Sequence, residues 1–61
     1  MTADEIAKNA RSLADHARGH SDPMRAVAEY SIVLGRQHGW TVDESLQIGL
    51  AALMLLGEEK P

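Results

Sequence analysis

From Leu50 to Leu56 the chain reads Leu-Ala-Ala-Leu-Met-Leu-Leu, without one polar side chain. A helix that is apolar all round is normally buried on every side. Only 61 residues are available to supply the elements that would cover it. A chain of that size sits near the lower limit for a self-sufficient core and usually needs a staple or a partner. Cysteine is absent, so a disulfide cannot be the staple, and thiolate metal sites and a cysteine nucleophile are excluded with it. Extended back to Leu46, the apolar run is broken by Gln47 and Gly49. It falls short of the roughly 20 apolar residues that a membrane span takes. The last segment therefore carries more apolar surface than the rest of a compact chain can hide.

Local signals divide the sequence into three helices. Thr2 and Glu5 have the spacing of a capping box, and Met1 and Ile6 that of a hydrophobic staple. Ala3, Ile6, Ala7, Ala10, Leu13, Ala14 and Ala17 then recur on one side, which predicts a helix over about 3–18. Gly19 is expected to stop it in a left-handed conformation, with Arg18 at the negative end of the helix. Asp22 suits the next N-cap and Pro23 the first helical position, so a second helix is expected over 23–38, ending at Gly39. Thr41 and Glu44 repeat the capping box, with Asp43 adding a second acid to the first turn. A third helix is predicted over 42–57, ending at Gly57 with Pro61 beyond. With short linkers and no internal repeat, residues 1–61 read as a single all-α domain, a compact three-helix unit with antiparallel neighbours, completed by oligomerisation.

The faces of these helices set the expected partners. At about 100° per residue, Arg25, Glu29 and Arg36 share a narrow face of helix 2 with Ile32 in its middle. Gly35 within that helix costs roughly 1 kcal/mol against alanine, and close backbone packing is the natural compensation. On helix 3, Val42, Leu46, Gly49, Leu50, Leu53 and Leu56 form one stripe, while Ile48, Ala52 and Leu55 lie on nearly the opposite side. Two helices can hardly cover both. The expectation is a homodimer or higher homo-oligomer, also able to dock a further protein, with an interface built from Ile32, Trp40, Ile48, Leu50, Ala52, Leu53, Leu55 and Leu56. Trp40 follows a helix-ending glycine, where it either plugs the end of the bundle or anchors a partner.

Other chemistries find little footing. The net charge of −3 comes from residues 39–61, because the five cations and five anions of residues 1–38 cancel. Such a small acidic protein lacks the basic balance of a nucleic-acid wrapper. His16 and His20 are four apart, and Asp22 and His38 could add metal ligands, but Gly19 should end the helix between the first two. No metal and no cofactor are expected. Ser12 and Ser31 have no base and orienting group arranged around them. Ser21 and Ser45 belong to helix starts, and Asp43 and Glu44 are explained by capping. A non-enzymatic interaction protein is the expected class, cytoplasmic because no basic-then-apolar leader precedes the first helix.

The alternative is a small dimeric DNA-binding regulator. Helix 2, the His38-Gly39-Trp40 turn and helix 3 have helix-turn-helix length, with Gly39 in the turn. The would-be recognition helix, however, opens on two carboxylates and holds no Arg or Lys. The run TVDESLQIGLAALML, within Thr41 to Leu56, resembles the second helix of ribbon-helix-helix regulators. That resemblance implies a dimer paired through a strand before its helices, yet no alternating pattern precedes helix 2. Lys8, Arg11 and Arg18 on one side of helix 1 would be the better DNA contact, although Asp15 beside them reads as a solvated, balanced face. A membrane-surface role fits poorly too, since helix 3 has no basic polar face.

Overall fold

A computed structural model describes residues 1–58 and resolves them into α1 (Ala3–Ala17), α2 (Pro23–His38) and α3 (Val42–Glu58). Among the described residues there is no strand, and the three helices pack into one compact unit. Pro61, expected beyond the last helix, lies outside the described residues, and α3 continues one residue past Gly57.

The starts of the helices follow their side-chain chemistry. The Thr2 hydroxyl accepts the Glu5 backbone N–H at 3.2 Å, and the Glu5 carboxylate accepts the Thr2 N–H at 3.0 Å. Thr41 and Glu44 repeat the exchange at 3.1 and 2.8 Å. Asp22 caps α2 by accepting the Arg25 N–H at 3.3 Å, with Pro23 opening the helix. Gly39 takes a φ of 70°, and the following Trp40 N–H donates to the Gly35 carbonyl at 2.9 Å. The Gly39 N–H donates to the same carbonyl, so the left-handed residue closes the helix with two donors on one acceptor.

The first stop differs from expectation. Alpha-helix α1 ends at Ala17, Arg18 caps it in the right-handed region, and Gly19 has no positive φ. Here the chain turns through a His20 N–H donated to the Ala17 carbonyl at 3.0 Å. A tight right-handed turn satisfies that carbonyl, so the left-handed freedom of glycine goes unused.

The fold runs up, down and up. On α2 and α3, Gly35 stands against Ser45 and Ser31 against Gly49, so numbers rise along one helix as they fall along the other. The α-amino group of Met1 reaches the Glu44 carboxylate at 3.2 Å, which puts the starts of α1 and α3 at one end. The core between them is Ala10, Leu13, Ala14, Ala17, Ala26, Val27, Ile48 and Ala52. Five of these are alanines, so only Leu13, Val27 and Ile48 contribute large buried side chains. Each such side chain is worth roughly 1.5–3 kcal/mol. Ile6, Tyr30, Leu34, Leu55 and Leu56 pack around the rim of that core. It is a thin core.

Candidate protein interface

The α2–α3 crossing is made of small residues. A Cβ placed on Gly35 would lie 2.4 Å from the Ser45 Oγ, and one on Gly49 would meet Ser31 at 3.5 Å. The close approach expected at Gly35 is therefore present, with Ser45 as its partner. Ser31 donates its hydroxyl back to the Ala28 carbonyl at 2.9 Å, and among the described residues no buried side-chain polar atom lacks a partner. Small side chains of α3 face α2, Ile48 and Ala52 face the core with Leu53, Leu55 and Leu56 packed against it, and the remaining large side chains of α3 are left exposed.

Those side chains are Val42, Leu46, Leu50 and Met54, exposed by 77, 58, 60 and 68%. Ile32, across the crossing on α2, is 58% exposed. Beside them an open groove of about 330 Å³ is bordered by Ile32, Gly35, Trp40, Val42, Ser45 and Leu46. Trp40 is half-buried there, packed on the rim of the core and stacked on His38 with ring centroids 5.6 Å apart. It takes part in closing the bundle end and in lining the groove.

The eight residues expected at an interface divide accordingly. Ile32 and Leu50 stand in the open, and Trp40, Leu53, Leu55 and Leu56 are half-buried against the core. Ile48 and Ala52 are fully buried within the single chain and offer no surface to a partner. The apolar period of α3 marks two stripes without saying which faces inward. Val42, Leu46 and Met54, outside that expected set, are exposed on the same helix. The signal for them was Ser45 and Gly49, because residues too small to fill space belong where two backbones come close.

Several polar groups are occupied with structure. The Thr2 N–H holds the Glu5 carboxyl below its ordinary pKa. The Thr41 N–H, and after it the Met1 ammonium, do the same for Glu44. Arg18 pairs with Asp15, and Arg25 with Glu29 at 3.7 Å, all on exposed surface. Although Gly19 was expected to separate them, His16 and His20 come together, with ring centroids 5.4 Å apart. The Tyr30 ring meets His16 edge-on at 4.4 Å, so the trio ties the α1–α2 connection to α2. His38 stands apart from this group, on Trp40. Among the described residues no three His, Cys, Asp or Glu side chains gather as a metal site would need. No described helix is long and apolar enough to cross a membrane.

No family model, curated protein or solved structure matches this chain.

Proposed function

We propose that this chain is a non-enzymatic protein–protein interaction module that self-associates through the outer face of α3 and offers the same face to a further protein. The observation that carries this reading is the exposed set Ile32, Val42, Leu46, Leu50 and Met54 on one side of a molecule whose own core is mostly alanine. Exposed by 58–77%, these five side chains present on the order of 500 Å² of apolar surface. That is at the upper end of what a solitary soluble protein shows. The half-buried Trp40 and Leu53 at its edge bring it toward the ~800 Å² per partner of a standard interface.

The energetics point the same way. At roughly 25 cal/mol per Å², burying about 400 Å² from four such side chains on each of two copies is worth on the order of 20 kcal/mol before costs. The loss of free motion on association takes back roughly 4–15 kcal/mol, and ordering of interface side chains takes more. The surplus supports a concentration-dependent dimer.

The test is molecular mass by analytical ultracentrifugation across a concentration series, for the parent chain, Leu50→Asp and Ile32→Asp. The parent is expected to be dimeric at high concentration and both variants monomeric, because each buries a charge in the proposed contact. A parent that stays monomeric at the highest concentration, or variants that keep the dimer mass, would overturn the reading.

A further inference from the structure

The groove of about 330 Å³ between α2 and α3 combines apolar walls with two idle polar groups. Ile32, Trp40, Val42 and Leu46 supply the walls. Ser31 also borders the space, but its hydroxyl is spent on the Ala28 carbonyl. The Ser45 hydroxyl, on the same groove, has no hydrogen-bond partner among the described residues. Arg36 borders it too, and is exposed. Whereas Arg25 pairs with Glu29, Arg36 has no acidic partner among the described residues. None of the lining residues is acidic.

We propose that this groove binds a free medium-chain carboxylate, its head on Arg36 and Ser45 and its aliphatic chain along Ile32, Trp40, Val42 and Leu46. The site goes beyond self-association and does not depend on it, since every group belongs to one chain. Small-molecule sites pair apolar walls with a few polar groups that fix orientation, in volumes of about 300–1,000 Å³. The groove is at the small end of that range, which suits a single short acyl chain. A guanidinium meets a carboxylate through two parallel hydrogen bonds, and the same carboxylate can accept a hydroxyl. One cation balances one negative charge. In a chain of net charge −3, a phosphate or polyanion would bring more charge than Arg36 offsets.

Trp40 is the chain's single tryptophan and lines the groove, so its fluorescence reports occupancy. Decanoate, and separately the uncharged decanol, are titrated into the full chain at low concentration, with calorimetry alongside. Decanoate is expected to bind saturably and about tenfold more tightly than decanol, the difference made by one charge-assisted contact. Arg36→Gln is expected to weaken decanoate about tenfold and Ser45→Ala a few-fold. Arg25→Gln removes an equal charge about 16 Å along α2 and should change nothing. Circular dichroism checks that each variant keeps its helices, which Arg36, being exposed, does not hold in place. Decanol binding as tightly as decanoate, an Arg36→Gln chain that binds like the parent, an equal loss in Arg25→Gln, or no saturable binding by either measurement overturns the proposal. Molecular mass decides self-association separately, so a monomeric parent that binds decanoate through Arg36 leaves this site standing.

Discussion

Replacing Gly35 with alanine tests whether the small-residue crossing fixes the distance between α2 and α3. Alanine at an interior helix position is worth roughly 1 kcal/mol over glycine from backbone freedom alone. At Gly35 that gain meets an obstacle, because the new methyl would stand 2.4 Å from the Ser45 Oγ. Ser45 Cβ lies 3.6 Å away and Trp40 Cε3 3.8 Å, both ordinary contact distances. Only one hydroxyl must move, and forcing it from its rotamer costs roughly 1 kcal/mol. Gly35→Ala alone is therefore expected to be nearly neutral. Ser45→Ala removes the obstructing oxygen and is expected to stabilise α3 by about 0.5 kcal/mol through helix propensity. Combining the two recovers the full alanine gain at Gly35, giving a protein about 1.5 kcal/mol more stable than the parent, with a coupling of about 1 kcal/mol between the sites. In a domain of this size 1 kcal/mol moves the melting temperature by roughly 4–8 °C. Thermal unfolding followed by circular dichroism, at one fixed chain concentration because association shifts the melt, resolves that difference. Strict additivity, with Gly35→Ala already as favourable alone as beside Ser45→Ala, would refute the idea that Gly35 is needed for the approach of α3.

Three further outcomes are expected. Leu13→Ala removes one of the three large side chains in the core and should cost about 2–5 kcal/mol, enough to abolish cooperative unfolding in denaturant titrations. For Glu44, the folded-state pKa lies below its ordinary value, so its stabilising effect is complete above the ordinary carboxylate range and fades as pH falls through the folded value. Glu44→Gln should accordingly melt lower than the parent at neutral pH and lose less on acidification from about pH 5 to about pH 3. An unchanged acid limb would contradict the role given to its contacts with Thr41 and Met1. Duplex DNA, titrated at about 50 mM salt, should not bind, because α3 opens on Asp43 and Glu44 and carries no cation. Tight binding with a steep salt dependence would instead restore the regulator alternative.

The elements legible in the sequence are those decided within a few residues. Thr2 with Glu5, Asp22 with Pro23, Gly39, and Thr41 with Glu44 each satisfy backbone groups three or four positions away, so their chemistry needs no tertiary context. Gly19 failed as a left-handed stop because glycine permits that conformation without demanding it, and the Ala17–His20 turn bond supplied another solution. Which face of α3 would be buried is a different kind of question. Hydrophobic period assigns equal merit to the Ile48 and Leu46 stripes, and only the fit of Ser45 and Gly49 against α2 separates them. A surplus of apolar surface was legible in the sequence, and Ile32 and Leu50 are exposed. Its map was not, since Ile48 and Ala52 went to the core and Val42, Leu46 and Met54 came out.

Small residues at the helix contacts have a consequence for where stability resides. Ala10, Ala14 and Ala17 give α1 a smooth buried face, and Gly35 with Ser45 and Ser31 with Gly49 do the same between α2 and α3. Such contacts allow close approach and good dispersion, yet they remove little apolar area from water. Beyond Leu13, Val27 and Ile48 in the core and the half-buried Leu34, Leu53, Leu55 and Leu56 around it, Val42, Leu46, Leu50 and Met54 stand exposed along α3. Enlarging the core with those residues would push the helices apart and open the crossing that orders them. A chain this short can have tight helix crossings or a large private core, and its Gly-Ser contacts commit it to the first. What the core lacks in buried area is displayed on the outer face of α3, where a second copy would supply the missing cover and add to the stability of both.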